Sequence, residues 1–396
     1  MKKGWKIKNL GEVCNVIAGQ SPEGKYYNSD GNGAPFYQGK KEFCEKFIGE
    51  PTTWTTKITK EAEANDILMS VRAPVGPINF ATHKICIGRG LAAIRAGKEI
   101  DKDFLFNFLL KHENEIVGNT GAVFNSINKT QIENIKIPIP SLSDQHRIVS
   151  LLDKCFTAID KAKANAEQNM RNAKELFDCT LDRILDDKKW KVKQLGEVCE
   201  KVEYGTSAKA KSQGLLPVLR MGNIQNGKFI WDNLVYSDNK EDNSQYLLKY
   251  NDVLFNRTNS LELVGKTAIF KGERPAIFAG YLIRIHRKEN LLDADYLNYY
   301  LNSKKAFEYG KSVVISSVNQ ANINGTKLKT YPIPLPLLHD QQTIVRQLDA
   351  LRDETQKLEA VYQKKIASLG ELKKSVLLKA FSDGLTEERR QRHEKD

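Results

Sequence analysis

The chain has 396 residues, enough for two or three ordinary domains, and is 40% hydrophobic and 28% charged. That composition excludes a disordered chain, and no apolar run approaches the roughly 20 residues a membrane-spanning helix needs. The net charge of +12 points to a polyanionic partner such as nucleic acid.

The start, Met1-Lys2-Lys3-Gly4-Trp5, is basic, but no apolar stretch follows, so it does not read as a signal peptide. Residues 1–142 read as a mixed α+β domain. Asp66 to Val71 and Leu91 to Arg95 are strand candidates, Asp103 to Leu110 a short amphipathic helix, and Gly19–Gly39 and Gly118–Asn128 loops. Residues 143–188 read as a long helix. Ile148, Leu152, Cys155, Ile159, Ala162, Ala166, Ala173, Phe177, Thr180 and Ile184 recur in steps of three and four, a heptad seam. Ser143 is placed to cap it, and Pro138 and Pro140 stop anything helical before it.

Residues 189–338 repeat the plan. Asp252 to Asn256 echoes the first strand, Tyr281 to Ile285 matches Leu91 to Arg95, Asp295 to Leu301 is the matching helix, and Ser316–Gly325 is a loop. A second long helix, 339–385, carries Ile344, Leu348, Leu351, Thr355, Leu358, Tyr362, Leu369, Val376 and Ala380 in the same register. Residues 386–396 form a charged tail expected to be flexible. A helix of about 40 residues spans about 60 Å. Alone it would leave its apolar stripe wet, so the two helices are expected to pair antiparallel. The alternative is that each packs only on its own domain.

The halves share a frame. Trp5-Lys6-Ile7-Lys8-Asn9-Leu10-Gly11-Glu12-Val13-Cys14 returns as Trp190-Lys191-Val192-Lys193-Gln194-Leu195-Gly196-Glu197-Val198-Cys199. Ile137-Pro138-Ile139-Pro140 returns as Ile333-Pro334-Leu335-Pro336, and Asp144-Gln145 with Ile148-Val149 returns as Asp340-Gln341 with Ile344-Val345. Between these anchors the halves drift. A fixed frame around a divergent interior predicts two similarly built modules that read different things.

Motifs for catalysis are missing. Gly265-Lys266-Thr267 resembles the end of a phosphate-binding loop, but Ser260 stands where its first glycine belongs, and strand is expected where the motif needs helix. There is no Asn-Pro-Pro or Asp-Pro-Pro, no G-x-G-x-x-G opening a helix, and no Pro-Asp to begin a nuclease pattern, of which Glu23-Gly24-Lys25 matches only the tail. The histidines (His83, His112, His146, His286, His339, His393) lack metal-ligand spacing. Cys14, Cys44, Cys86, Cys155, Cys179 and Cys199 form no C-x-x-C pair and read as reduced thiols. With no signal peptide read at the start, the scattered thiols read as cytoplasmic; no catalytic residue and no metal site is expected, which favours a binding protein.

Duplex readout needs cations for phosphates and forked polar groups for base edges. The first domain offers Gln20, Ser21, Lys25, Tyr27, Gln38, Lys40 and Lys41 in its Gly-rich stretch, then Arg72 and Asn125. The second offers Thr206, Ser207, Lys209 and Lys211, then Arg220 and Asn223, then Arg257-Thr258-Asn259 and Asn319-Gln320. The plain alternative is ordinary polar surface with Asn and Gly making turns. Arg257 is also open to a framework role, tying its loop down.

The twofold W-x-(I/V)-K-x-L-G-E-V frame resembles the specificity subunit of type I restriction-modification systems. So do Asp252-Val253-Leu254-Phe255-Asn256-Arg257-Thr258-Asn259-Ser260 and the Pro-x-Pro-x-x-x-x-Asp-Gln-x-x-Ile-Val helix starts. The resemblance covers about residues 5–382. It implies two target recognition domains, each reading one half of a bipartite DNA site, and two helices paired as an antiparallel coiled coil that sets the spacing. The seam residues would be Ile148, Leu152, Ile159, Phe177, Ile184, Ile344, Leu348, Leu351, Leu358, Leu369 and Val376. It further implies two modification (methyltransferase) subunits and restriction subunits as partners, which would hold the S-adenosylmethionine, ATP and magnesium. The first half departs from the pattern where Ser70-Val71-Arg72-Ala73-Pro74-Val75 replaces the Asn-Arg-Thr-Asn run, so Arg72 and Arg257 are only approximate counterparts. The readings left beside this one are a coiled-coil scaffold and a stand-alone DNA methyltransferase or nuclease.

Overall fold

The computed structural model describes residues 5–118, 126–317 and 320–382. The charged tail, Asn125 and Asn319 lie outside them. Contacts divide the chain into two compact units, residues 1–166 with 364–396, and residues 167–363. Both divisions fall inside long helices, so each long helix contributes residues to both units. Among the described residues, no helix is long and apolar enough to cross a membrane.

The first unit runs β1 (Lys6–Asn9), β2 (Cys14–Ala18), β3 (Ala34–Tyr37), β4 (Ile67–Ser70), β5 (Ile78–Phe80), β6 (Ile85–Ile87), β7 (Leu91–Ala96), α1 (Lys102–Gly118) and β8 (Lys136–Ile139). Then α2 (Leu142–Leu185) begins. An antiparallel sheet has the order β2-β7-β4-β5. In a second sheet β3 lies parallel to β6, with Phe36 opposite Cys86 and Tyr37 opposite Ile87. Successive side chains of a strand point to opposite faces. Accordingly Ile67, Met69 and Ile94 join the core under Phe104 and Leu105 of α1, while Leu68 and Ala93 join Tyr37, Ile85 and Ile87. Both faces of β4 are covered, which is why Ile67-Leu68-Met69 runs apolar without alternation.

The second unit repeats this order: β9 (Lys191–Gln194), β10 (Cys199–Tyr204), β11 (Leu216–Leu219), β12 (Val253–Asn256), β13 (Thr267–Ile269), β14 (Ile277–Phe278), β15 (Leu282–Arg287), α3 (Ala294–Leu301), β16 (Pro332–Leu335) and α4 (Leu338–Phe381). Its antiparallel sheet is β10-β15-β12-β13, and β11 lies parallel to β14. One expected equivalence shifts by a residue. Ile94 pairs with Ile67 and Ile285 with Val253, so Leu91 corresponds to Leu282 and not to Tyr281.

The repeated frame residues meet in space. β1 pairs antiparallel with β8, and β9 with β16, so the opening motif of each half lies against its Pro-x-Pro strand. These sheets have only two strands, where a proline costs few ladder bonds. Glu12 accepts the Asn9 N–H at 2.9 Å, and Glu197 accepts the Gln194 N–H at 3.0 Å, closing the turn that follows each strand. A Cβ on Gly11 would sit 2.9 Å from the Glu133 side chain, and one on Gly196 would sit 3.2 Å from that of Lys329.

Each long helix has two kinds of neighbour. In the first unit, Ile148 and Leu152 of α2 share a core with Leu10, Phe104 and, from α4, Leu377 and Ala380. Lys373 pairs there with Asp160 at 2.8 Å and with Glu45 at 3.2 Å. In the second unit, Leu181 and Leu185 share a core with Ile344 and Leu348. Arg352 lies over the Phe177 ring at 5.0 Å, and Lys174 approaches Glu359 at 3.9 Å. Within each unit the two helices run in opposite directions, and each also packs on its domain. The seam is thinner than expected. Ile159, Ala166, Ala173 and Thr355 are buried, and Phe177, Ile184, Leu351, Leu369 and Val376 are half-buried. Cys155 is exposed, and Leu358 is 43% exposed, outside the seam. Two helices alone cover one narrow stripe, so the second apolar position of some heptads faces water.

Candidate nucleic-acid interface

In each unit several strand ends converge on one loop cluster. In the first, the Gly88 N–H donates to Tyr37 O at 2.8 Å, Gly90 to Gln38 O at 3.1 Å, Val71 to Gly90 O at 2.9 Å and Gln20 to Ile87 O at 3.0 Å. In the second, Ala279 donates to Leu219 O at 2.9 Å, Arg257 to Tyr281 O at 3.0 Å and Thr206 to Phe278 O at 2.9 Å. These bonds define counterparts: Gln38 with Arg220, Arg89 with Gly280, Gly90 with Tyr281, and Val71 with Arg257. Arg72 bridges Ser126 as Thr258 bridges Asn322, so Arg72 corresponds to Thr258 and not to Arg257. Gly19 and Gly205 hold the approach together. A Cβ on either would sit 2.2 Å from a carbonyl oxygen, of Gly88 or Phe278.

The first cluster is rich in exposed cations. Gln20, Lys40, Lys41 and Arg72 are exposed. Lys25 is exposed but pairs with Glu23 at 2.6 Å. The Ser21 hydroxyl donates to Gln38 Oε1 at 2.9 Å and accepts the Arg89 N–H at 3.1 Å. Tyr27 is a pillar: its hydroxyl donates to Pro22 O at 2.8 Å and its ring stacks on Phe36 at 4.8 Å. Exposed Arg89, Lys57 and Lys60 escaped the sequence reading. The signal for Arg89 was the tripeptide Gly88-Arg89-Gly90, a side chain set between two residues without one.

In the second cluster several expected readers are committed inward. Thr206 is buried and its hydroxyl bonds Asp242. Asn223 is buried, and its amide donates to Ile230 O at 3.1 Å and Asp232 O at 3.0 Å. Thr258 is buried and accepts from the Asn322 amide at 2.9 Å. Arg257 takes the framework role: it stacks over Tyr204 at 5.0 Å and donates to Gly280 O and Asn322 Oδ1, both at 3.3 Å. Lys211 pairs with Asp238 at 3.1 Å. Ser207, Lys209 and Gln320 are exposed, and Asn259 is half-buried. Arg220 donates to Asn233 O at 2.9 Å and lines a cavity of about 810 Å³ with Met221, Gln225, Asn259, Lys266 and Tyr281. The cavity therefore opens beside the convergence of strand ends.

Beneath this cluster lies an ion network. Arg284 donates to Glu203 at 2.6 Å and Asp252 at 3.0 Å, and His286 lies 2.9 Å from Glu203. Burial pushes the Glu203 carboxyl up. The hydrogen bonds from His286 and Arg284, with the charges of Arg284 and Lys201, outweigh that and hold it below the usual carboxylate range. The first unit solves the same problem with Arg95, bonded to Asp66 at 2.8 Å and Glu63 at 3.1 Å.

The model of the type I restriction modification DNA specificity domain matches the chain twice, at residues 2–168 and 187–367. The chain belongs to this family. It is 41% identical over 182 residues to a putative type I restriction enzyme MjaX specificity subunit of Methanocaldococcus jannaschii. That match covers 45% of the chain and 42% of the relative, so it spans less than half of that relative's length. The StySPI specificity subunit of Salmonella potsdam is 28% identical over 76% of the chain and 69% of the relative. A chain solved in work on complex assembly and conformational transition of the type I R-M system superposes with a TM-score of 0.77 at 20% identity. It covers 97% of this chain and 99% of that one, a likeness of fold. Both specificity domains contain one of the loop clusters described above.

Proposed function

We propose that this chain is the DNA-reading subunit of a type I restriction-modification complex, each unit reading one half of a bipartite duplex site. The observation that carries it is the pair of equivalent clusters, which share three of the backbone bonds described above and differ in side chains. Where one has Gln38, Arg89 and Gly90, the other has Arg220, Gly280 and Tyr281. Family membership supports the duplex as ligand, and the charge of +12 supplies phosphate affinity.

On this reading the chain is not itself an enzyme. Two modification subunits dock on it, restriction subunits join the full complex, and S-adenosylmethionine, ATP and magnesium sit in those partners. The complex works in the cytoplasm, where it meets cellular DNA. The paired helices set the spacing between half-sites.

Matched deletion of one heptad from both α2 and α4, with the modification subunit present, tests this. Seven helical residues span about 10.5 Å. The spacer between half-sites should shorten while both half-site sequences persist. An unchanged spacer would contradict the spacing role, and altered half-site sequences would contradict the separation of reader from spacer.

A further inference from the structure

The turn Gly88-Arg89-Gly90 joins β6 to β7 and is tightly seated. A Cβ on Gly88 would sit 2.7 Å from Gln38 Oε1, and one on Gly90 would sit 2.4 Å from the Gln38 carbonyl oxygen. Both glycine N–H groups are bonded to the Tyr37–Gln38 backbone, and the Arg89 N–H is bonded to Ser21 Oγ at 3.1 Å. The Arg89 backbone is therefore fixed. Arg89 is exposed and its side chain has no acidic partner among the described residues, whereas Arg95, at the far end of β7, is committed to Asp66 and Glu63. A rigid base under an unpaired fork is the arrangement that bidentate recognition needs.

Gln38 is one-sided. Its oxygen receives the Ser21 hydroxyl at 2.9 Å and lies against Gly88, whereas its amide NH2 has no partner among the described residues. A glutamine reads adenine bidentately by giving one donor and one acceptor, and here the oxygen already holds one hydrogen bond and lies against Gly88, so donation is its freer half. The Arg89 guanidinium and the Gln38 NH2 together present donors. Guanine shows two acceptors, N7 and O6, in the major groove, and no other base edge there is free of a donor or methyl group.

We propose that Arg89, supported by Gln38, reads a guanine in the half-site served by the first unit. This rests on the DNA-reading function proposed above and narrows it to a base and two residues. At the counterpart positions the second unit has Gly280 and Arg220, the latter already donating to Asn233 O, so its reading there differs.

The test uses the full chain with its modification subunit and maps methylated sites for the unaltered protein, Arg89→Ala, Arg89→Lys and Gln38→Glu. Arg89→Ala should relax one G·C position in one half-site, lowering discrimination there about tenfold or more, and leave the other half-site unchanged. Arg89→Lys should relax the same position, because a point charge does not replace the fork. Gln38→Glu, which keeps the side-chain size, should shift preference at the same or the adjacent position toward a base that offers a donor. An unchanged motif in folded Arg89→Ala, or a uniform loss of methylation with every position kept, would overturn the assignment and leave the DNA-reading function standing. No methylation by the unaltered pair would overturn both.

Discussion

The side-chain oxygen of Gln341 accepts the backbone N–H of Asp293 at 2.8 Å. Its amide nitrogen donates to Leu291 O at 2.8 Å and Pro336 O at 2.9 Å. Gln145 makes the same three bonds to Asp101, Glu99 and Pro140. Both glutamines are 0% exposed. Asp101 and Asp293 in turn accept N–H groups at the starts of α1 and α3. Each long helix is thus pinned through one amide to the cap of the short helix in its own unit.

Replacing Gln341 with Leu keeps the volume and leaves three backbone groups without partners. Each unsatisfied buried group costs about 1–3 kcal/mol, so a loss on the order of 3 kcal/mol in the second unit is expected. Urea unfolding followed by circular dichroism measures it. An unchanged midpoint would mean that the amide is not a pin.

Leu152→Ala should cost about 2–5 kcal/mol, since the side chain is buried in the core of the first unit. Leu358→Ala, on the wet side of α4, should stay within about 0.5 kcal/mol. Equal losses at the two positions would contradict the thin seam.

The depressed Glu203 carboxyl sets an acid limit on the second unit. A carboxyl held below its unfolded value, about 4.3, stabilises the fold above that pH and loses the contribution as pH falls through the folded value. Glu203→Gln should flatten the loss of stability below about pH 4.3. Denaturation midpoints from pH 3 to pH 7 would reveal it, and an acid limb as steep in the variant would locate the sensitivity elsewhere.

Lys209 is exposed, whereas Lys211 is held by Asp238. Lys209→Ala should weaken duplex binding by the assembled complex across all sequences and lower the slope of log K against log salt by about 0.9. Lys211→Ala should do less. Relaxation of one base position by Lys209→Ala would make it a base reader.

The frame was legible because its residues are repeated and their roles are local. The turn after β1 needs Leu10, Gly11 and Glu12 together, and Leu195, Gly196 and Glu197 state the requirement again. The helices were legible from their period, although periodicity could not tell that Leu358 faces water. The clusters were less legible, because a crossover to a parallel strand decides which loops meet. Gln38 lies far in sequence from the Gly88-Arg89-Gly90 turn and meets Gly88 and Gly90 only because β3 pairs with β6. Amino-acid type likewise does not say whether an amide is spent inside the fold. Asn223 looks like a reader and is a strut.

The central claim is two DNA readers in one chain serving a separate modification subunit. Its most direct test is a genome-wide map of methylated bases in a host lacking such methylation, with this chain and its modification subunit produced together and apart. The account predicts one split motif, present only when both are produced. Methylation by this chain alone, or none while the two proteins associate, would contradict it.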